Sequence, residues 1–481
     1  MSDTRGRYFV GEAFDEREEQ ETDYGRLWFA TPSRVYEPRS VEELASILKQ
    51  CNRDGTPVTV RNTGHSMNGQ TVTDGVQVRI GDIRGVTFIE DEASVEAHCG
   101  DSWDSILKAV RFPEWCPPVF PNNPGQRIHM AGTIAAGGIG AYSASRGGFW
   151  NHVTWLMIVT MEGEVVECSR EKNSELFQYS LAGWGRVGII VKFRVSVEKS
   201  KHGLVAGGAF FHSPADFFAS YQKLAAHPDI DLLSCQIQFS HHGFLDMPWA
   251  APFRIGFGYE AADERDALEK SERVRDALRH DIHFFGHVEN DANVTFTMTP
   301  VLNPKHYAVY VFPEEEATVG ELSHIWHDYL LPRERFMDFV TWSRDAVREH
   351  GLQETFLRQP FFHSLIHVDM CGGYSFKHLE GTYPLVPEIR AEDTHTWHIN
   401  YSHNVPRASI PSVIGFVDEA STRCYRDGGK RYLYGTHRLG RDQVVAQYGL
   451  ETIHAWNGIK KQTDPKLLMN RGVIPHLDEM L

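Results

Sequence analysis

The sequence lacks an excess of positive charge: 48 lysines and arginines stand against 64 aspartates and glutamates, for a formal net charge of −16 at pH 7. Nucleic acids and anionic membrane surfaces are bound through basic patches, so this balance argues against either as a partner. The chain also lacks an uninterrupted apolar run of the length that spans a bilayer. Its N-terminus contains no apolar signal-peptide core, and we therefore expect the protein to act in the cytoplasm.

Metal-binding and nucleophile motifs are missing as well. The seven cysteines are scattered, with no CxxC pair and no zinc spacing, which predicts buried, reduced thiols and no metal site. His363 and His367 are four residues apart, but no HExxH motif surrounds them, which favours packed or surface histidines over metal ligands. No GxxxxGK(S/T) phosphate loop and no GxSxG nucleophile elbow are present. Cys116, in a proline-rich loop, is predicted to be an ordinary buried thiol, although its reactivity stays open.

Residues 58–70, VTVRNTGHSMNGQ, carry the first positive signal. Alternating β-branched residues predict a short buried strand, and the small polar residues after it predict a loop with one imidazole, His65. Unpaired backbone N–H groups of such a loop can hold phosphates, although an ordinary surface turn uses the same residue types. A second small-residue loop at residues 131–140 favours the functional interpretation.

The chain of 481 residues is longer than a single core usually serves, and we expect two domains. In the first, SVEELASILKQCN predicts a capped helix over residues 40–52, and residues 155–169 predict a hairpin. In the second, long helical patterns alternate with aromatic strands. Its period-two segment HTWHINYSH predicts one strand face that carries His395, Trp397, Ile399, Tyr401 and His403.

The segment GWGRVG at residues 183–188 matches the GxGxxG dinucleotide fingerprint. That fingerprint follows a strand and opens a helix, whereas here a short predicted helix precedes the glycines and a predicted strand follows them. The pattern therefore favours a tight turn between a helix and a strand over a nicotinamide-binding site.

Four segments, in chain order, carry a family resemblance: RNTGHSMNGQ, AGTIAAGGIGAYSASRGGFWNHV, TMEGEVVECSREKNSELFQYSLAGWGRVGIIVKFRV and DPKLLMNRGVI. Together they resemble the vanillyl-alcohol oxidase / p-cresol methylhydroxylase class of FAD proteins. Within that class they look most like the cytokinin dehydrogenases and bacterial FAD-linked oxidases. The match is dense over residues 31–199, thin over residues 200–425, and returns over residues 431–474.

The resemblance implies an α+β flavoprotein of two domains. The FAD-binding domain is expected to be split between residues 31–198 and 426–481. The substrate domain, residues 199–425, is expected to be a large antiparallel sheet with helices on one side. Residues 1–30, which are acidic and polar, are expected to form a loose N-terminal arm that packs late.

The implied function is oxidation of a small organic substrate at a CH–OH or CH–NH carbon by hydride transfer to the flavin. Dioxygen or another acceptor then reoxidises the flavin. Two alternatives stay open: a cytokinin-type amine dehydrogenase with a displaced base, and a flavin-binding protein without turnover. The oligomeric state also stays open.

By the same resemblance, His65 of the GHS motif is the residue joined covalently to FAD, which raises the reduction potential of the flavin. Some relatives form a second link through a Cys; Gly125 occupies that place here, so a single link is expected. The other positions expected to contact the cofactor lie in the two loops, the following strand and the C-terminal tail. They are Asn62, Gly64, Ser66, Gln70, His129, Gly132, Thr133, Ile139, Ile190 and Asn470.

The chain departs from the resemblance where cytokinin dehydrogenases are expected to carry a proton-accepting Asp. Residues 120–125, FPNNPG, hold no carboxylate, and the amides of Asn122 and Asn123 cannot act as bases near neutral pH. We therefore expect the base in the C-terminal half, where this class builds its substrate side. The candidates are Tyr401, His403, Tyr434 and His437. In the tail, Asn470-Arg471-Gly472 replaces the usual proline-containing turn, which is expected to form without proline.

Overall fold

The computed structural model describes residues 8–9, 21–120, 128–201, 203–238, 252–278, 295–300, 322–352, 358–361, 366–390 and 393–480. The fold is α+β, as predicted, with a large antiparallel sheet in its C-terminal half. Within these ranges, no helix combines the length and the apolar character needed to cross a bilayer.

A three-stranded parallel sheet belongs to the N-terminal half. Its strands, in sheet order, are Arg34–Tyr36, Val76–Arg79 and Val58–Arg61. The predicted helix, Val41–Asp54, connects the first of these strands to Val58–Arg61. The helix begins where the side chain of Ser40 accepts a hydrogen bond from Glu43 N (3.1 Å), and it ends where Gly55 adopts φ +66°.

A five-stranded antiparallel sheet packs beside it in one hydrophobic core. Its strands, in sheet order, are Val165–Ser169, Val153–Val159, Ile189–Ser196, Ser94–His98 and Val86–Ile89. The first two form the predicted hairpin. The helices of this half are Trp103–Ala109, Met130–Ala136, Ser143–Arg146 and Ser174–Ser180.

The largest sheet has ten strands, all paired antiparallel. Its main path runs through Thr295–Pro300, Gly203–Phe211, Phe253–Ala261, Leu232–Gln238, Ile366–Gly373, His395–Pro406, Leu322–Leu331 and Lys430–Arg431. Arg358–Phe361 and Ser375–Lys377 pair beside this path. Helices form a second hydrophobic core with one face of the sheet. They are Pro214–Ala225, Glu264–Leu278, Arg333–Glu349 and Ile410–Arg426.

The C-terminal segment returns to the first core. Its helices, Arg441–Tyr448 and Leu450–Thr463, place Val444 and Trp456 in that core. The chain after them pairs with the first parallel sheet, because Val58 N donates to the carbonyl of Leu468 at 2.9 Å. Segments more than 400 residues apart thus meet at one edge of the fold, since 468 − 58 = 410.

One buried lysine anchors this return. The Nζ of Lys460 donates to Oδ2 of Asp464 (2.7 Å) and to the carbonyls of Arg186 (2.8 Å) and Met469 (2.7 Å). The side chains of Lys460 and Asp464 are each 1% exposed. Burial lowers the pKa of Lys460 to about 8, against the opposing pull of Asp464.

The described part of the N-terminal arm, residues 21–30, is packed, which corrects the expectation of a loose arm. Asp23 Oδ2 accepts hydrogen bonds from Ser66 Oγ (2.7 Å) and Gly69 N (2.6 Å). The carbonyl of Gly25 accepts from His324 N at 3.0 Å. This segment therefore crosses the loop that carries His65 and reaches the large sheet. The acidic composition of the arm gave no sign that a few of its residues, such as Asp23 and Gly25, form hydrogen bonds with the rest of the fold.

The described cysteines confirm the prediction of buried free thiols. Six are buried: Cys51, Cys99, Cys116, Cys168, Cys235 and Cys424. Burial raises the pKa of Cys116 to about 12, so its thiol stays protonated near neutral pH. His363 and the segment 121–127 lie outside the described residues, and so does the side chain of His367.

Two imidazoles stack inside the second core. The rings of His327 and His403 lie parallel with centroids 5.1 Å apart, and their Nε2 atoms are 3.0 Å apart. Nδ1 of His327 also lies 2.9 Å from the hydroxyl of Tyr329. Both imidazoles are fully buried. Burial lowers the pKa of His403 to about 3 and that of His327 well below its usual value, so both rings are neutral in the folded protein.

We expect these imidazoles to make the protein sensitive to acid. Their pKa is near 6.5 in the unfolded chain, so unfolding takes up protons as the pH falls below that value, and stability is lost. The loss is about 2 kcal/mol per imidazole between pH 7 and pH 5. Urea unfolding at both pH values measures it. In His403→Gln, the loss of unfolding free energy between pH 7 and pH 5 should be smaller by the contribution of one imidazole. In His454→Gln, which changes a surface residue, the loss should equal that of the wild type. Equal pH slopes in wild type and His403→Gln would contradict this account.

Candidate functional site

A cleft lies where the N-terminal half, the C-terminal return and the large sheet meet. It encloses about 1490 Å³ of space free of protein atoms, including its mouth. Its lining comes from the loop after the strand Val58–Arg61, the small-residue segment at residues 128–139, the large sheet and the C-terminal tail.

All eleven positions predicted to contact a cofactor line this cleft. They are Asn62, Gly64, His65, Ser66, Gln70, His129, Gly132, Thr133, Ile139, Ile190 and Asn470. We call the surface that they form the cofactor wall. Local sequence signals thus led to residues that the structure brings together on one surface.

His65 follows the strand Val58–Arg61 on a tight loop. Gly64 adopts φ +75°, a backbone conformation that residues with a side chain rarely adopt, so the loop favours glycine. The ring of His65 stacks on Tyr24 at 4.3 Å, and its Nδ1 lies 2.6 Å from the hydroxyl of Tyr434. Burial lowers the pKa of His65 to about 4, so the imidazole is neutral at pH 7.

Asn470 joins the C-terminal tail to the cofactor wall. Its Oδ1 accepts from Val60 N (2.9 Å), and its Nδ2 donates to the carbonyl of Gly185 (2.9 Å). Asn470 and Gly472 adopt positive φ values of 48° and 62°. The tail turn therefore forms without proline, as the sequence predicted.

A second group of lining residues comes from strands of the large sheet and from the turn that follows its strand Lys430–Arg431. We call it the sheet wall; its members are Trp326, Asp328, His398, Asn400, Tyr432 and Tyr434. Asp328 and Asn400 are direct partners in the antiparallel pairing. Oδ1 of Asp328 accepts from Asn400 Nδ2 (2.8 Å) and lies 2.9 Å from His398 Nε2. Because an ionised carboxylate only accepts, Nε2 of His398 is the donor of that pair.

Comparison with known families identifies the kind of domain that contains most of the cofactor wall. Residues 32–169 match a family model described as an FAD binding domain. The chain carries an FAD-binding domain. By family it is an FAD-dependent oxidoreductase, distantly homologous to the cytokinin dehydrogenases, which confirms the predicted resemblance.

Three similar proteins illustrate the distance. "Cytokinin dehydrogenase 2" of Arabidopsis thaliana is 22% identical over 469 residues, covering 94% of this chain and 90% of that protein. "Cytokinin dehydrogenase 1" of the same plant is 30% identical over 198 residues, covering 40% and 34%. An uncharacterised oxidoreductase, ORF5 of the fasciation locus of Rhodococcoides fascians, is 32% identical over 171 residues, covering 35% and 38%. In the last two comparisons the aligned part is roughly a third of the length of the relative.

Of the four residues predicted to accept a proton, the structure brings only Tyr434 to this cleft. Tyr401 and His403 lie on the opposite face of their strand, which corrects that part of the prediction. The hydroxyl of Tyr401 donates to Ser343 Oγ of the helix Arg333–Glu349 at 2.5 Å. His437 is buried but does not line the cleft.

The predicted alternation of His395–Pro406 was right, but the face chosen for the site was wrong. The odd-numbered residues pack against helices, and the even-numbered His398 and Asn400 face the cleft. Hydrophobicity could have separated the two, since Trp397 and Ile399 share the face of Tyr401. Asp328 had a weaker signal, a single carboxylate inside the apolar strand LSHIWHDYLL.

The tyrosines of the sheet wall are donors rather than bases. Burial raises the pKa of both Tyr432 and Tyr434 well above the usual value, and the nearby charge of Asp328 adds to the effect. Both therefore remain phenols near neutral pH. The hydroxyl of Tyr432 donates to the carbonyl of Gly137, and that of Tyr434 lies against His65.

The GxGxxG segment forms the predicted turn, between the helix Ser174–Ser180 and the strand Ile189–Ser196. Gly185 within it also lines the FAD cleft. It adopts φ +64°, and a Cβ there would lie 2.8 Å from Nδ2 of Asn470. The glycine is therefore needed for the turn and for the position of Asn470.

Gly185→Ala is expected to lower stability by about 1–2 kcal/mol, because alanine disfavours positive φ. We also expect less FAD to be retained, since Asn470 must shift. Thermal unfolding and the flavin-to-protein absorbance ratio measure both effects. Gly458→Ala is the matched control, because a Cβ there meets no atom within 4 Å in a helix. Tight NADH binding to the wild type would contradict the interpretation of this segment as a turn.

Proposed function

We propose that this chain oxidises a small organic molecule at a CH–OH or CH–NH carbon, using FAD attached covalently through His65. The observation that carries the proposal is that the two walls of one cleft differ in chemistry. The cofactor wall is lined by small residues and one neutral imidazole, whereas the sheet wall holds a buried carboxylate among aromatic rings. Storage of a cofactor alone requires no such second wall.

The cofactor wall fits FAD. Asn62 Oδ1 and His129 Nδ1 are buried without a hydrogen-bond partner among the described residues, and both residues line the cleft, so these atoms are available to a ligand. A Cβ added at Gly132 would meet no atom within 4 Å, so open space borders this part of the wall. Small residues let backbone N–H groups approach a pyrophosphate closely. When bound, FAD supplies the hydride acceptor, and its electrons pass on to dioxygen or another acceptor.

The state of His65 supports covalent attachment. A nucleophilic imidazole must be neutral, and the lowered pKa of His65 keeps it so across the physiological range. Stacking on Tyr24 and the contact with the Tyr434 hydroxyl hold the ring in one orientation. The chain thus prepares His65 for bond formation before any substrate arrives.

The sheet wall supports a substrate with a flat or apolar body and one polar group. The rings of Trp326 and Tyr434 meet edge-on at 6.4 Å, and Tyr432 lies 6.1 Å from Tyr434. These rings line the cleft together with the carboxyl group of Asp328, whose Oδ2 has no hydrogen-bond partner among the described residues. The wall therefore suits a molecule that presents an O–H or N–H donor beside the carbon to be oxidised.

An amine dehydrogenase of cytokinin type is the second candidate. It is favoured by the similarity to "Cytokinin dehydrogenase 2", which extends along 94% of this chain. Against it stands the segment 120–125, which holds no carboxylate.

The test is anaerobic reduction of the purified, yellow protein. Benzyl alcohol, vanillyl alcohol, benzylamine, N-methylbenzylamine and a cytokinin form the panel, and bleaching of the visible flavin band is recorded. We expect at least one compound to reduce the flavin; reduction by the cytokinin alone would select the second candidate. A protein that binds no flavin, or a flavin that no compound reduces, would overturn the proposal and favour a non-catalytic flavin-binding protein.

A further inference from the structure

We propose that Asp328 is the proton acceptor of the reaction, in place of the loop carboxylate that this chain lacks. The inference rests on the proposed function, because it assigns one step of that oxidation to a residue. It moves the base from the loop before the second small-residue segment to a strand of the large sheet.

The first support is an unfilled acceptor. Asp328 is 4% exposed and lines the cleft. Its Oδ1 is occupied by His398 and Asn400, whereas its Oδ2 has no hydrogen-bond partner among the described residues. A buried carboxylate oxygen without a hydrogen-bond donor lowers the stability of the fold, and a donor on a bound ligand would remove that cost.

The second support is the placement of the nearest strong cation. Nε of Arg431 donates to the backbone carbonyl of Asp328 at 2.7 Å, not to its carboxylate. The guanidinium lies over the ring of Tyr329 at 4.5 Å and donates to Ser421, so it belongs to the helix-covered face of the sheet. Among the described residues, His398 is the ion-pair partner of the Asp328 carboxylate when its ring is protonated, and no lysine or arginine pairs with that carboxylate.

The third support is the backbone beside Oδ2. A Cβ added at Gly435 would lie 2.6 Å from Oδ2 of Asp328 and 2.6 Å from the carbonyl of Trp326. Glycine is therefore required where the chain passes this oxygen. The positions of His398 and Asn400 on the paired strand hold the other oxygen, so the carboxylate has a single orientation.

Other groups in the cleft are less suited to the role. Tyr432 and Tyr434 stay protonated because burial raises their pKa. His398 already donates Nε2 to Asp328, and His129 belongs to the cofactor wall. Asp328 is the one carboxylate among the described residues that line the cleft.

Oδ2 of Asp328 takes the proton of the substrate O–H or N–H, and the adjacent C–H bond gives its hydride to the FAD that the proposed function requires. The substrate loses two hydrogens and two electrons and becomes a carbonyl compound or an imine. The proton on Asp328 passes to water after the product leaves.

Asp328→Asn is the principal test, with the panel compound that reduces the wild-type flavin as the probe. We expect the rate constant of anaerobic reduction to fall about a hundredfold or more, since this is the usual contribution of a positioned base. FAD content and the thermal midpoint should stay at wild-type values. Because the variant hardly turns over, its equilibrium Kd for the probe can be titrated from the flavin spectrum, and we expect a change of less than tenfold.

Two further variants keep the test decisive. Asp328→Glu retains a carboxylate and should recover part of the rate, which also covers failure of the asparagine variant to fold. Asp418→Asn, on the helix Ile410–Arg426 away from the cleft, should reduce at the wild-type rate. Wild-type reduction by Asp328→Asn with FAD bound would overturn the inference and leave the proposed function intact. Failure of every compound to reduce the wild type would overturn both.

Discussion

His65→Ala is expected to release all bound flavin into the supernatant when the protein is denatured in acid, whereas the wild-type pellet stays yellow. The reason is that the proposed bond to the imidazole is the sole covalent link, and every other contact of the cofactor wall is lost on unfolding. In the folded variant, Asn62, Asn470 and the small-residue segments still line the cleft. We therefore expect His65→Ala to keep part of its FAD but to be reduced more slowly by substrate.

His129→Ala is the matched control for this experiment. His129 also lines the cleft, and burial lowers its pKa to about 4, like that of His65. It lacks the ring stack and the tyrosine contact that orient His65. The flavin of His129→Ala should stay in the acid pellet. Flavin released from the wild type, or retained by His65→Ala, would refute the attachment at His65.

Lys460→Met should be the most destabilising single change among those considered, at about 3–5 kcal/mol. The substitution leaves the buried carboxylate of Asp464 without its cation and removes donors from two backbone carbonyls. Those carbonyls belong to Arg186, next to Gly185, and Met469, next to Asn470. We therefore expect loss of FAD binding together with loss of stability.

Lys461→Met is the matched control, because it makes the same lysine-to-methionine change without removing a buried ammonium group. Lys461 is the next residue of the same helix and is exposed, so its substitution should change the free energy of unfolding by less than about 0.5 kcal/mol. Urea unfolding and FAD titration measure both variants. A Lys460→Met protein as stable as the Lys461→Met protein would show that the buried ammonium does not anchor the tail.

The cofactor wall could be predicted from the sequence because its signals are local. The strand before His65, the glycine before it and the small residues near Gly132 act through backbone geometry within a few residues. Helix 41–54 was predictable for the same reason, since Ser40 and Gly55 mark its two ends. Such signals do not depend on how distant strands pair.

The sheet wall depends on pairing and could not be predicted in the same way. Asp328 meets Asn400 only because two strands some seventy residues apart pair in one register (400 − 328 = 72). Period-two alternation separated the faces of His395–Pro406 without indicating which face the helices cover. The packing of residues 21–30 was missed likewise, because their partners near Ser66 and His324 lie far along the chain.

The meeting of Val58 with the C-terminal tail has a consequence for biosynthesis. At about 5–20 residues per second, a ribosome needs roughly 20–80 s to proceed from the His65 loop to Asn470. During that interval the cofactor wall of the nascent chain is incomplete. The Nδ2 of Asn470, which donates to Gly185, and its Oδ1, which accepts from Val60, have not been synthesised. We therefore expect stable incorporation of flavin only after Asn470 has been synthesised, and chains that end before Asn470 should be colourless.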